Sequence, residues 1–380
     1  MQHQQWDIFC QVIDNFGDAG VAWRLARQLA VEHALHVRLW VNDLGVLHSL
    51  VPACRKDRAT QYCQGVEIRA WEENFPEVIP AQVVIEAFGC RLPPHYLMAM
   101  SQLEPAPVWI NLEYLSAEPW VVTHHGLSSP HPTLPLTKYF FFPGYQRGTG
   151  GVLRERDLLQ RRAHFQHSET SAFWQRLGPT LPRPAALHVS LFAYENAALH
   201  ALLDSWLRRS QPIVCLVPKS KIVPQLAAWL GEPDLQTGHV YHRGPIEFHL
   251  LPFLEQDSYD QLLWACDLNF VRGEDSCVRA QWAAKPWVWQ AYPQQEDAHW
   301  MKLEALSGLF TQSLPATAAQ AISHLWAAWN GRGDMNDAWT AFLQNKPILD
   351  AHAQRWPEIL AEPGDLATSL LAFVEARQAR

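Results

Sequence analysis

The sequence lacks the features of secreted and membrane proteins. Its seven cysteines are odd in number and form no C-x-x-C pair, which is typical of reduced thiols in a cytosolic protein. The N-terminal residues contain neither the basic segment nor the apolar segment of a signal peptide. No apolar stretch reaches the length of about 18 residues that a membrane span needs. We therefore expect a cytoplasmic protein with no membrane partner.

The sequence also lacks the patterns of nucleic-acid binding and of two common nucleotide-binding loops. The net charge is −8 and no long run of Lys or Arg occurs, which argues against a nucleic-acid partner. The dinucleotide fingerprint G-x-G-x-x-G is absent, and so is a phosphate-binding loop ending in Gly-Lys-Ser/Thr. A dehydrogenase is therefore disfavoured.

What the first half does contain is an alternation of short apolar runs with helical patterns, which is typical of a parallel α/β sheet. With 380 residues the chain is long for one domain, which favours two. Eighteen tryptophans are expected to pack in the core or between domains. The pattern predicts strands at Ile8–Ile13, Val37–Val41, Val66–Trp71, Val83–Ala87, Val108–Leu112 and Tyr139–Phe142, with a helix at Val21–His33.

The second half repeats this alternation after a proline-rich stretch at 178–184, which we interpret as the domain linker. Strands are predicted at Leu187–Phe192, Ile213–Val217, Phe248–Leu251, Leu268–Val271 and Trp287–Gln290, with helices at Asn196–Arg208, Pro224–Leu230, Tyr259–Cys266 and Ser276–Ala284. The predicted domains are 1–178 and 185–361, and a C-terminal helix at about 362–380 is expected to pack back on the first domain. Because ligands of open α/β sheets bind beyond the carboxyl ends of the strands, the loops there are the candidate sites.

The first candidate loop is Asp14-Asn15-Phe16-Gly17-Asp18, between the first strand and the first helix. Two carboxylates beside a helix start would repel a phosphate, so we expect Asp14 and Asp18 to act on a donor group or on a cation. A simpler interpretation is that one aspartate only caps the helix. The second carboxylate favours the functional interpretation, because capping needs one.

The second candidate loop is Arg272-Gly273-Glu274-Asp275-Ser276, between a predicted strand and the helix that Ser276 begins. Backbone N–H groups and the helix dipole at such a junction favour a phosphate group, and Arg272 can add a charge-assisted hydrogen bond. This loop predicts a nucleotide-diphosphate site. The simpler alternative is a capped helix with surface charges.

Three histidines, His124, His125 and His131, lie in the stretch 119–135, which shows no strand or helix pattern. A metal site is disfavoured because no paired carboxylate or cysteine accompanies them and a proline-rich loop holds ligands poorly. We expect a surface or cleft loop there, and no metal.

These two loops, with the segment Asp7–Asp18 and the motif Val271–Ser276, resemble those of the bacterial elongation factor P arginine rhamnosyltransferases, the EarP family. Further matching motifs are Tyr114-Leu115-Ser116 with Glu118, the Pro143-Gly144 turn with Gly150-Gly151, and Leu191-Phe192-Ala193-Tyr194-Glu195. The resemblance extends over essentially the whole chain.

The resemblance implies a GT-B-type glycosyltransferase in which two Rossmann-like domains face a central cleft. It implies inverting transfer of L-rhamnose from dTDP-β-L-rhamnose to one arginine in a loop of the N-terminal domain of elongation factor P, without a metal or other cofactor. Asp18 matches the general base and Asp14 the second essential aspartate. The residues implied to bind the donor are Phe16, Gly17, Phe192, Tyr194, Phe253, Gln256, Arg272, Glu274, Asp275 and Ser276.

Two other functions fit the same residues less well. A transferase that uses another sugar donor or another acceptor would share both loops. A nucleotide-sugar binding protein without catalytic activity would not need Asp14 and Asp18.

Overall fold

The computed structural model describes residues 4–13, 16–178, 181–292 and 298–379. The chain divides into two compact units, Met1–Arg156 with Leu360–Arg380, and Asp157–Ile359. Each unit is built around one β-sheet, as the alternating pattern predicts.

The described strands are, in chain order, β1 Gln5–Cys10, β2 His36–Val41, β3 Thr60–Cys63, β4 Val66–Ala70, β5 Val83–Ala87, β6 Val108–Leu112, β7 Ser128–Pro130, β8 Thr137–Phe141, β9 Leu187–Leu191, β10 Ile213–Pro218, β11 Val240–Arg243, β12 Ile246–Leu251, β13 Leu268–Arg272 and β14 Trp287–Gln290. The described α-helices are α1 Phe16–Glu32, α2 Leu44–Leu50, α3 Pro94–Met100, α4 Val121–His124, α5 Leu158–His164, α6 Thr170–Leu177, α7 Leu199–Leu207, α8 Val223–Leu230, α9 Gln256–Ala265, α10 Gly273–Trp282, α11 Ala298–Thr311, α12 Ala316–Trp329, α13 Met335–Ala361 and α14 Leu366–Gln378. A π-helical segment, Phe165–Glu169, joins α5 to α6.

The first unit contains a sheet with the strand order β3-β4-β2-β1-β5-β6-β8-β7. Its interior strands are parallel, and Ile8 of β1 lies opposite Leu39 of β2 and Ile85 of β5. β5 and β6 are buried along their whole length, as expected for parallel strands covered on both faces. The order reverses between β1 and β5, which is the switch point where open sheets bind ligands.

The second unit contains a sheet with the order β11-β12-β10-β9-β13-β14. β9 lies at its centre, with Val189 opposite Cys215 of β10 and Leu268 of β13. Its switch point therefore falls between β9 and β13. The second unit thus repeats the topology of the first with fewer strands.

The tryptophans fill the cores, as predicted for most of them. Ten of the eighteen are fully buried: Trp6, Trp23, Trp40, Trp206, Trp282, Trp287, Trp326, Trp329, Trp339 and Trp356. Buried aromatic rings of this size contribute a large share of the apolar area that stabilises each unit.

The division into units differs from the predicted boundary at the proline-rich stretch. Residues 157–177 form α5, the π-helical segment and α6, and all belong to the second unit. The ring of Phe165 packs 5.6 Å from that of Trp264, and the ring of Trp174 packs 4.8 Å from that of His188. These aromatic contacts explain the assignment. The first unit includes Leu360–Arg380, the segment for which the sequence predicts a return to the N-terminal domain.

Three element boundaries at the candidate loops were predicted wrongly. β1 ends at Cys10 rather than Ile13, whose side chain is 66% exposed, and α1 begins at Phe16 rather than Val21. α10 begins at Gly273 rather than Ser276. In α1 the motif glycine, Gly17, lies inside a buried first turn, where burial outweighs the helix penalty of glycine, about 1 kcal/mol. In α10 Gly273 is the first residue and has a positive φ, which glycine adopts readily.

Candidate functional site

Asp18 lies in the first turn of α1, and its side chain is almost completely buried, with 2% exposure. Its Oδ2 accepts a hydrogen bond of 2.9 Å from the Ile13 N–H, so the carboxylate bridges back to the chain that leaves β1. The Val12 N–H is held in turn by Asn42 Oδ1 at 2.8 Å. This bridge resembles helix N-terminal capping and an acid there is favoured by the helix dipole, so Asp18 has a structural role as well.

Tyr114 holds the other oxygen of Asp18. The Tyr114 hydroxyl donates to Asp18 Oδ1 at 3.2 Å from the segment that follows β6. Both carboxylate oxygens are therefore engaged, which fixes the plane of the group. The sequence motif includes Tyr114, but sequence reasoning assigned it no role in the site.

The Tyr114 ring rests on Phe88, directly after β5. The two rings stack with centroids 4.5 Å apart and planes 17° from parallel. Phe88 has a positive φ of 59°, which is costly for a bulky residue, and Gly89 follows with φ 68°. The Gly89 N–H donates to Asn111 Oδ1 at 3.1 Å, which fixes this turn against β6. Strained backbone of this kind is concentrated at functional sites.

The thiol of Cys10, at the end of β1, lies close to the Asp18 charge. Burial, the charge of Asp18 and the neighbouring Cys90 raise the pKa of Cys10 well above its ordinary value. The Cys90 thiol donates to the Phe9 carbonyl at 3.3 Å, and burial raises its pKa to about 12. Both thiols are therefore neutral at physiological pH, and neither is an activated nucleophile.

The second unit places a guanidinium between two aromatic rings at its switch point. Arg272 ends β13, while Phe192 and Tyr194 follow β9. The Arg272 Cζ lies 4.7 Å from each ring centroid, and Nη1 lies 3.5 Å from the Tyr194 hydroxyl. All three side chains are buried, with exposures of 6–7%. Contact with two aromatic rings stabilises the cationic guanidinium and restricts where it can lie.

The first turn of α10 follows Arg272 directly. Gly273 begins it with φ 66°, a left-handed conformation that favours glycine. The Arg272 N–H donates to Ser276 Oγ at 3.2 Å, and the Ser276 hydroxyl also bonds the Arg272 carbonyl. The Ser276 hydroxyl therefore stabilises the start of the helix, and Ser276 is its fourth residue rather than its first. Asp275 is buried and Glu274 is half-buried.

The remaining predicted residues of the second unit lie on the loop after β12 and on α9. Phe253 packs against Phe192 with centroids 6.5 Å apart. Gln256 Nε2 donates to Asp275 Oδ2 at 3.3 Å and thereby joins α9 to α10. Tyr259, which sequence reasoning missed, packs 5.3 Å from Phe192, and burial raises the pKa of its phenol. We call Phe192, Tyr194, Phe253, Gln256 and Arg272 the Arg272 cluster.

The structure thus gathers most of the predicted donor-binding residues in one unit. The Arg272 cluster and the first turn of α10, which carries Glu274, Asp275 and Ser276, all lie at the carboxyl edge of the second sheet. Phe16 and Gly17 lie beside Asp18 on α1 in the first unit. Asp14 lies outside the described residues.

The stretch at 119–135, expected to be a loop, contains the short α4, which ends at His124, and the short strand β7. Its three histidines contact backbone groups. The Phe142 N–H donates to His125 Nδ1 at 3.1 Å, and the Leu134 N–H donates to His131 Nδ1 at 3.1 Å. His124 Nδ1 lies 2.8 Å from the Trp120 carbonyl oxygen. Within the described ranges, no cluster of three or more His, Cys, Asp or Glu side chains is arranged to hold a metal ion. Of the helices among those same residues, none is long and apolar enough to cross a membrane.

Comparison with known proteins gives matches along nearly the whole chain. Residues 6–375 match the family model described as elongation factor P (EF-P) rhamnosyltransferase EarP. A protein-arginine rhamnosyltransferase of Pseudomonas putida is 50% identical over 370 residues, which cover 97% of this chain and 98% of that protein. One of Pseudomonas aeruginosa is 45% identical over the same shares of the two chains.

A solved structure described as the structural basis for EarP-mediated arginine glycosylation of translation elongation factor EF-P is also similar. It is 38% identical, with a TM-score of 0.70 over 98% of this chain and 99% of that one.

Proposed function

The chain belongs to the EarP family of elongation factor P rhamnosyltransferases, and we propose that it uses dTDP-β-L-rhamnose as donor and inverts the sugar's anomeric carbon. Family membership makes it an enzyme that transfers rhamnose to an arginine side chain of elongation factor P. Its fold is the GT-B type that the sequence predicts.

The observation that best supports a division of roles is the opposite charge at the two switch points. A buried carboxylate, Asp18, lies at the carboxyl edge of the first sheet. A stacked guanidinium, Arg272, lies at the carboxyl edge of the second. An inverting transfer needs a carboxylate for the nucleophile and positive groups for the departing diphosphate. We assign the acceptor arginine to the first and the donor to the second.

On the donor side, Arg272 and the N-terminus of α10 would stabilise the diphosphate. The helix dipole and the N–H groups of a first turn favour negative charge, and the guanidinium adds charge-assisted hydrogen bonds. Phe192 and Phe253 provide aromatic surface on which thymine can stack. Asp275, next to Gln256, would accept hydrogen bonds from neutral N–H or O–H groups of the donor rather than meet its phosphates.

On the acceptor side, Asp18 would bind the arginine guanidinium by a charge-assisted hydrogen bond. A guanidinium has a pKa above about 12, so a carboxylate cannot take its proton in the ground state, before the C–N bond begins to form. The C–N bond forms at the anomeric carbon as its bond to the diphosphate oxygen breaks, and the guanidinium proton passes to Asp18 during that step. The leaving group is dTDP. Asp14 is the second carboxylate of this proposal.

We propose that the reaction needs no metal, because Arg272 and the start of α10 can balance the charge of the leaving diphosphate. We also propose a cytoplasmic location, since the proposed acceptor is a translation factor.

The direct test incubates the purified chain with elongation factor P and dTDP-L-rhamnose in the presence of EDTA. The expected result is a mass gain of one deoxyhexose on the factor, absent when the target arginine is replaced by lysine. NMR of the product should show an α-linked rhamnose. Transfer from a different nucleotide sugar only, a β-linked product, or loss of transfer in EDTA would each contradict the corresponding part of the proposal.

A further inference from the structure

The last residue of β14, Gln290, holds the backbone of the segment that carries Tyr194. Gln290 Oε1 accepts the Tyr194 N–H at 2.9 Å, and Gln290 Nε2 donates to the Glu195 carbonyl at 3.0 Å. The side chain is buried, with 6% exposure, so water does not readily replace these bonds. Gln290 also lies directly opposite Arg272 in the pairing of β13 with β14.

The preceding residue, Trp289, holds the start of α10. Its indole N–H donates to the Gly273 carbonyl at 2.8 Å. Gly273 adjoins Arg272 and begins α10 in the left-handed conformation. Two consecutive residues of one strand therefore reach the loop after β9 and the junction of β13 with α10.

The end of β14 is itself fixed by α12. Asn330, which follows α12, donates from Nδ2 to the Trp289 carbonyl at 2.7 Å and accepts the Ala291 N–H at 3.2 Å. The same Nδ2 donates to the Trp326 carbonyl at 2.8 Å. The strand end is therefore held by the residue that follows α12.

We infer that Trp289 and Gln290 are positioning residues that set the spacing between Tyr194 and Arg272 for a nucleoside diphosphate. The stacking distance of 4.7 Å between Arg272 and the Tyr194 ring depends on where the Tyr194 backbone is held. A binding site keeps its geometry only when the groups behind it are fixed as well. This inference rests on the proposed function, because it takes the Arg272 cluster as the donor site.

The test uses the full-length chain and dTDP as the probe, titrated by calorimetry. Gln290→Met keeps the side-chain volume but removes both hydrogen bonds, and we expect dTDP to bind about tenfold more weakly. The KM for the sugar donor should rise to a similar extent, while the KM for elongation factor P stays unchanged. Trp289→Phe, which removes one hydrogen bond, should weaken dTDP binding about threefold.

Gln281→Met is the matched control. Gln281 is a fully buried amide of the same unit, and its Oε1 accepts the Trp356 indole N–H at 3.1 Å, away from the two loops. We expect it to lower the unfolding temperature at least as much as Gln290→Met and to leave the dTDP affinity within about twofold.

Three results would overturn the inference. Unchanged dTDP affinity in both Gln290→Met and Trp289→Phe would do so, and so would equal weakening by Gln281→Met, which would indicate general destabilisation. If the unaltered chain fails to bind dTDP at all, the proposed donor is wrong and the inference falls with it. The first two results leave the proposed function intact.

Discussion

The first unit has a carboxylate at the switch point of its sheet, on the helix that follows β1, and the second unit has a guanidinium at its own switch point, at the end of β13. Asp18 is held by a backbone N–H and by Tyr114, which rests on Phe88. Arg272 is held between Phe192 and Tyr194. In both cases aromatic rings fix a charged group that is nearly removed from water.

This difference shows how one topology supports both acceptor binding in the first unit and donor binding in the second. The crossover pattern brings the same pair of loops together in each sheet, and the side chains on those loops decide which charge is bound. A carboxylate suits a cationic acceptor, and a guanidinium suits a diphosphate. On this account, substitutions can disrupt acceptor chemistry and donor binding separately.

The largest expected effect comes from Asp18→Asn. It keeps the shape of the side chain but removes the charge and the proton acceptor, so transfer should fall about 1,000-fold or more in single-turnover assays. Asp43→Asn is the matched control, because Asp43 is also an acid at a helix start and accepts the Gly45 and Val46 N–H groups at 2.9 Å. It should lose little activity. Equal losses of transfer in the two variants would mean that Asp18 only stabilises the start of α1.

The next effect is expected from Arg272→Lys. Lysine keeps the charge but loses the planar group that stacks on Phe192 and Tyr194, so the KM for the donor should rise about 30-fold. Arg332→Lys is the control, since Arg332 stacks on Trp300 at 3.8 Å in the same unit. A donor KM that stays unchanged in Arg272→Lys would remove Arg272 from the site.

A smaller effect is expected from Tyr114→Phe. It keeps the ring on Phe88 but removes the hydroxyl that donates to Asp18, so transfer should slow about tenfold while dTDP affinity stays the same. Tyr62→Phe, on an exposed edge strand with 69% exposure, is the control. A parallel loss of dTDP affinity would contradict the separation of acceptor chemistry from donor binding.

The smallest effect is expected on the stability of the folded chain as the pH falls. Burial lowers the pKa of His125 in the first unit and of His352 in the second below the ordinary value of 6.5. The folded state therefore binds these protons more weakly than the unfolded state, and stability present above pH 6.5 is lost as the pH falls below it. His125→Gln should reduce this loss, measured as the unfolding midpoint between pH 7 and about 5. A steeper loss in that variant would contradict this assignment.

The sequence predicted much of the fold because apolar runs and glycine-containing loops are local signals. The central strands β5, β6 and β13 lie within a residue of their predicted bounds. The edge strands β3, β7 and β11 were not predicted, since they are short and largely exposed and have no apolar pattern. The starts of α1 and α10 were placed too late because glycine favours loops locally, whereas packing decided the outcome.

The partners of the charged groups could not be predicted from the sequence. Tyr114 meets Asp18, and Gln290 meets Tyr194, across 96 residues of chain in each case. No local pattern connects residues so far apart, and only the strand order brings them together. The resemblance identified Asp18 and Arg272 and also named Phe192 and Tyr194, but it gave no role to Tyr114 or Gln290.

The central claim, that the two switch points divide acceptor and donor chemistry, is tested most directly by titrating dTDP into Asp18→Asn and Arg272→Lys side by side. We predict that Asp18→Asn binds dTDP within about twofold of the unaltered chain although its transfer falls about 1,000-fold or more, while Arg272→Lys binds about 30-fold more weakly. A loss of dTDP affinity in Asp18→Asn equal to that in Arg272→Lys would contradict the claim.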